Sequence, residues 1–186
     1  MSLLPLGLLS QGGAAAAGAF ELIETQILTG TTTAVTFSSV PVIYKHLQIR
    51  ITARNTTAAA SRPITLRMNG DTATNYAYNY MRGTGSGGAA ASANTQSSMI
   101  IGYSPGSTET ANIFAVALID LLDYNNTNKT KTVRSLSSRY SSETQIEQTS
   151  GHWNSTSAIT SIEVADRSGS SSFATGTRIS LYGIGG

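Results

Sequence analysis

Two histidines, ten carboxylates and no cysteine are the whole stock from which this 186-residue chain could build acid–base, nucleophilic or metal chemistry. Without a thiol there is no cysteine nucleophile, no disulfide and no thiolate metal site. His46 and His152 lie far apart in sequence. Neither belongs to an HExxH, a GxSxG, a P-loop or a dinucleotide-binding glycine pattern. Asp120 and Asp123, followed by Asn125, Asn126 and Asn128, form a polar run that a hard cation could use. The same residue types also cap strand ends through local side-chain to backbone hydrogen bonds, and turn chemistry is the simpler reading. Glu143, Glu147 and Glu163 could act as a glycosidase pair only if the fold set two of them at a suitable separation, which spacing does not dictate. The residues therefore point to a non-enzymatic protein with no catalytic residue, no cofactor and no metal.

The aromatic residues carry a sharper pattern. Tyr76, Tyr78 and Tyr80 alternate with Ala77, Asn79 and Met81, so a strand here puts three tyrosines on one face. Such a stripe, with the single tryptophan Trp153, can anchor an interface or stack against a glycan. Tyrosines and tryptophan also close the edges of cores, and burial is the expected state here. The Asn-X-Ser/Thr triplets at Asn55, Asn125, Asn128 and Asn154 are expected by chance in so Asn- and Thr-rich a chain.

Surface chemistry narrows the class. Charged residues make up 12% of the chain, against roughly 25% in typical soluble domains, and the net charge is +2. With little charge repulsion, copies can sit side by side, which suits a homo-oligomer. Arg50, Arg54, Arg62 and Arg67 alternate with apolar residues and read as the solvent faces of strands, so no nucleic-acid partner is expected. The opening segment places Leu3, Leu4, Leu6, Leu8 and Leu9 among Pro5, Gly7, Gly12 and Gly13. It has no basic residue before its apolar block, and it is too short and interrupted to span a bilayer, so neither a secretory signal nor a membrane anchor is expected. Terminal segments fray unless something holds them. Residues 1–19 are read as an extended anchoring arm bound into a neighbouring subunit, with fold-back onto their own domain as the alternative.

The elements that must position these residues are strands. Leu47, Ile49, Ile51 and Ala53 alternate with Gln48, Arg50, Thr52 and Arg54. Ile64, Leu66 and Met68 repeat the pattern, and Asn69-Gly70-Asp71 supplies a turn. Further strands are expected over 21–28, 34–37, 75–81, 98–101, 112–121, 132–140, 144–153, 158–164 and 177–184. Residues 112–122 could form a buried helix, but a central strand covered on both faces is preferred. The low-complexity run 83–96 reads as a long loop. Residues 20–186 are thus expected to form a single-domain two-sheet β-sandwich of jelly-roll type.

The order of several segments adds a resemblance. Val35-Thr36-Phe37-Ser38-Ser39-Val40-Pro41 leading to Tyr44-Lys45-His46-Leu47-Gln48-Ile49-Arg50 resembles a pattern in phage particle proteins. So do Leu66-Arg67-Met68-Asn69-Gly70-Asp71 with Asn75-Tyr76, Ile119-Asp120-Leu121-Leu122-Asp123-Tyr124 with 129–132, Gly151-His152-Trp153 with 158–162, and the closing 179–184. Over roughly 33–186 the chain is similar to the tail, fibre and other particle-surface proteins of tailed bacteriophages. That resemblance implies a virion structural protein, either a tail or appendage component or, next, a capsid decoration. It also implies other virion proteins as partners, while the alternative function, a carbohydrate-binding adhesion module recognising host glycans, rests on the tyrosine stripe and Trp153 lining an exposed groove. It carries no catalytic residue across.

Overall fold

A computed structural model describes residues 19–140, 142, 144–170 and 172–185. These residues form twelve β-strands and no helix, arranged as two antiparallel sheets packed face to face. The chain is all-β, and its architecture is a two-layer sandwich. In chain order the strands are β1 (Glu21–Ile27), β2 (Ala34–Phe37), β3 (His46–Ala53), β4 (Ser61–Met68), β5 (Tyr76–Thr84) and β6 (Gly87–Gln96). They continue with β7 (Met99–Pro105), β8 (Ala115–Leu121), β9 (Lys131–Arg139), β10 (Gln145–Trp153), β11 (Ile162–Asp166) and β12 (Arg178–Ile184).

The larger sheet has the order β1-β12-β3-β8-β9-β10-β5-β6, and the smaller one β2-β11-β4-β7. Alternation explains the core. Leu47, Ile49, Ile51 and Ala53 of β3 point inward, where they meet Ile64, Leu66 and Met68 of β4 and Ile162 and Val164 of β11 in one apolar cluster. The turn after β4 behaves as its residues require, with Asn69 and Gly70 both at positive φ and Asp71 N–H donating to the Met68 carbonyl. β7 lies over β8, β9 and β10 and ties the two layers together. Gly102 makes that close crossing possible: its φ of 150° suits glycine, and a Cβ there would lie 2.8 Å from the Ser137 Cβ.

Two sequence expectations are corrected. Residues 83–96 are not a loop: β5 runs on to Thr84, turns at Gly85-Ser86 and returns as β6, paired with β5 in antiparallel register. Its small residues hide the strand because β6 is solvent-exposed on both faces along most of its length and so has no apolar period to display. The segment 112–122 does contain a central strand, β8, but only one face is covered. Ala115, Ala117, Ile119 and Leu121 are buried, whereas Val116 and Leu118 are exposed. The arm residues Leu3, Leu4, Leu6, Leu8 and Leu9 lie outside the described residues, as does Glu143.

Candidate interaction surface

The residues singled out for chemistry are absorbed into structure at separate places. His46 Nδ1 accepts a hydrogen bond from the Asp123 backbone N–H at 2.9 Å, and the His152 ring meets the Thr130 hydroxyl at 2.8 Å. Glu163, on the outer side of the smaller sheet, pairs with Arg67, while Glu147 is enclosed between the sheets. The two carboxylates therefore do not face one another. The loop after β8 closes on itself: Asn125 donates to the Val42 and Tyr44 carbonyls, Asn126 Oδ1 accepts from Asn128 N–H, and Asp123 pairs with Lys129. The cation at its centre is the chain's own. Lys131 Nζ donates to the carbonyls of Asn126, Lys129 and Thr156 at 2.7, 3.0 and 3.1 Å, and burial pushes its ammonium below the usual lysine range. Among the described residues, no three or more His, Asp or Glu side chains are grouped to hold a metal.

The basic residues read as solvent faces are mostly engaged. Arg62 reaches the buried Asp166 carboxylate, and Arg54 donates to the carbonyls of Glu109, Thr110 and Ile113. Arg50 remains exposed.

Tyr76 and Trp153 are 1% and 2% exposed and stack with ring centroids 6.2 Å apart. The Tyr76 hydroxyl accepts from Met68 N–H at 3.0 Å, and the Trp153 indole N–H donates to Asp71 Oδ2 at 2.7 Å. Asn75 donates to the same carboxylate, so these hydrogen bonds hold Asp71 below the usual carboxylate range. Burial pushes the Tyr76 phenol up to about 12. Tyr78 is buried beside them, and Tyr80, half-buried, lies under the Arg82 guanidinium. The faces of Tyr76, Tyr78 and Trp153 are thus inside the sandwich, where a sugar ring cannot stack on them.

The unusual feature is the polarity of β9 and β10. Their inward positions include Ser135, Ser137, Arg139, Gln145, Glu147 and Thr149, all buried. Their outward positions include Leu136 and Ile146. Cross-strand register joins these to Val116 and Leu118 of β8 and Met81 of β5: Leu118 and Gln148 flank Leu136, Met81 lies beyond Gln148, and Ser138 separates Val116 from Ile146. These five apolar side chains are between 37% and 64% exposed. A sheet normally points its polar residues at solvent; here β9 and β10 bury polar residues while the exposed apolar patch on their other face extends onto β8 and β5. Isolated exposed leucines need no explanation, whereas a contiguous registered apolar patch is the kind of surface that makes this face the candidate interaction surface. The sequence signal was available in the apolar residues on both faces of 115–121; Leu136 and Ile146 stand alone among polar neighbours, so nothing in their own strands marked them as part of a patch.

The buried polar side of this reversal has its own chemistry. Arg139 Nη2 donates to Gln145 Oε1 at 3.2 Å, and Gln145 Nε2 donates to Glu147 Oε2 at 3.0 Å. Burial raises the Glu147 carboxyl above its usual range. A raised folded-state value means that the stability Glu147 supplies is fully present below its unfolded value, about 4.3, and is lost as pH rises through the folded one. Glu147→Gln, close in shape and still able to accept from Gln145, is expected to gain on the order of 1 kcal/mol at neutral pH and nothing near pH 4. Urea unfolding at both pH values checks this, and a destabilised variant at neutral pH would contradict it.

Comparison with protein-family models and with curated proteins finds no match to this chain.

Proposed function

We propose that this chain is a non-enzymatic structural protein that assembles with copies of itself and with other proteins into a particle surface, its N-terminal segment serving as the fastening arm. The resemblance noted above supports a tailed-phage virion as that particle, with a tail or appendage component favoured before a capsid decoration. The observation that carries the reading is the reversed sheet face: polar groups inside, Met81, Val116, Leu118, Leu136 and Ile146 outside. A second support is β6, a sheet edge without a charged residue or proline to discourage pairing with another chain. The jelly-roll wind is inferred from nested pairing, in which β1 pairs β12 and β3 pairs β8 in one sheet while β2 pairs β11 and β4 pairs β7 in the other. The alternative of a carbohydrate-binding module has less support, because the aromatic residues that would form its platform are mostly buried.

The test is a pair of charges on the face. Leu136→Asp combined with Ile146→Asp is expected to change unfolding free energy by no more than about 1 kcal/mol, as surface changes do. The same variant is expected to lose self-association in sedimentation velocity. Undiminished self-association would remove the reading's main support.

A further inference from the structure

Resting on the assembly reading above, we infer that residues 3–9 of a second copy dock across β8, β9, β10 and β5. Three observations lead there. The first is where the described chain begins. Ala19 accepts from Gly185 N–H at the β1/β12 edge, and Phe20 stacks on Tyr182 with centroids 4.9 Å apart. The Arg50 guanidinium covers both rings at 4.9 and 4.7 Å. Tyr182 and Arg50 belong to the outer face, since their neighbours Leu181, Ile49 and Ile51 point into the core. The described chain therefore begins on the side that carries the apolar patch.

The second observation is chemical match. Val116, Leu118, Leu136, Ser138 and Ile146 line a groove of about 360 Å³ that Arg50 bounds on the β3 side, and a second of about 490 Å³, lined by Met81 and Gln148, lies toward Ala90 of β6. Residues 2–20 carry no charged side chain, and five leucines fall within seven positions. Arg50 is the charged residue of the groove's lining, and its guanidinium already lies over the Phe20 and Tyr182 rings, so an uncharged segment meets a mostly apolar surface. The third is position. The patch lies on the fourth to seventh strands of the eight, displaced toward β6 and away from the β1 edge where its own arm leaves. A neighbour whose β1 edge approaches β6 delivers its arm directly over the patch. Eleven residues from Leu9 to Phe20 reach roughly 35 Å when extended, about the width of an eight-stranded sheet, so the arm can cross it.

The experiment uses the full chain. A photoreactive phenylalanine analogue replaces Leu136 and, in a second preparation, Ile146. Isotopically heavy and light chains are unfolded together, refolded as a mixture and irradiated, and the crosslinked peptides are read by mass spectrometry. Peptides containing residues 3–9 and joining heavy to light chains are expected from both positions. Crosslinks confined to chains of one label place the arm on its own domain and overturn the inference. Crosslinks to another segment, face-to-face crosslinks between two copies of β9, or none at either position overturn it as well. Failure here is separable from failure of the assembly reading. If removal of residues 1–18 abolishes assembly while the crosslinks fall elsewhere, the arm fastens the protein at some other surface and only the docking site is wrong.

Discussion

Deletion of residues 1–18 is expected to leave the sandwich folded and to abolish incorporation into particles. The cut stops before Ala19, so the Ala19 to Gly185 hydrogen bond and the Phe20–Tyr182–Arg50 stack that close the β1 edge remain. The strands run between Glu21 and Ile184, and the buried members of the apolar cluster among the described residues run from Val35 to Leu181. If the five leucines docked on their own domain, each would contribute roughly 1.5–3 kcal/mol of burial, and the deletion would cost most of a typical domain's stability. If they dock on a neighbour, the lone domain loses little, and the loss falls on association. Thermal unfolding of the truncated chain, beside its recovery from purified particles after co-expression with the other particle components, separates the two. A near-native melting transition with no incorporation is the expected pair of results. Normal incorporation would overturn the arm's role, and a collapse of the melting temperature would establish fold-back.

What was legible in the sequence follows from where alternation has a physical cause. Strands such as β3 and β4 have one face in the core, and their residues alternate accordingly, so Leu47 to Ala53 and Ile64 to Met68 could be read directly. β6 has no buried face, so its Gly, Ala and Ser residues look like a linker; what makes it a strand is β5, whose backbone groups it pairs. Tertiary context outweighs propensity there. β9 was legible as a strand but not in its facing, because Val133 and Leu136 lie three apart and fall on opposite sides, inward and outward. The loop at Asp120 to Asn128 showed its turn residues, yet nothing in their spacing revealed that a lysine at 131 would supply the cation that holds it together. Sites of this kind depend on carbonyls brought together from distant segments, such as Thr156, and backbone carbonyls leave no mark on a sequence.

The largest single-residue effect is expected at Tyr76. Its ring is among the largest fully buried side chains, and it bridges two elements by stacking on Trp153 of β10 while its hydroxyl meets the end of β4. Tyr76→Ala removes the ring and leaves a cavity that the sandwich cannot refill, a change that costs about 3–5 kcal/mol in other cores. It also leaves the buried Met68 N–H without this hydrogen-bond partner, which adds to the loss. The value is expected at the top of that range. Tyr76→Phe isolates the second contribution: the ring and its stacking survive, and the cost falls to about 1–2 kcal/mol. Tyr80→Ala is the internal comparison. Tyr80 lies on the same face four residues along, but it is only half-buried, with Arg82 rather than a packed aromatic against it, so it is expected to cost less than half as much as Tyr76→Ala. Equilibrium denaturation of the three variants gives the ordering directly. If Tyr76→Ala were no more costly than Tyr80→Ala, the Tyr76–Trp153 pair would not be the anchor that joins the β4 turn to the larger sheet. The tyrosine face would then be available for contacts outside the sandwich, which is the arrangement a glycan platform requires.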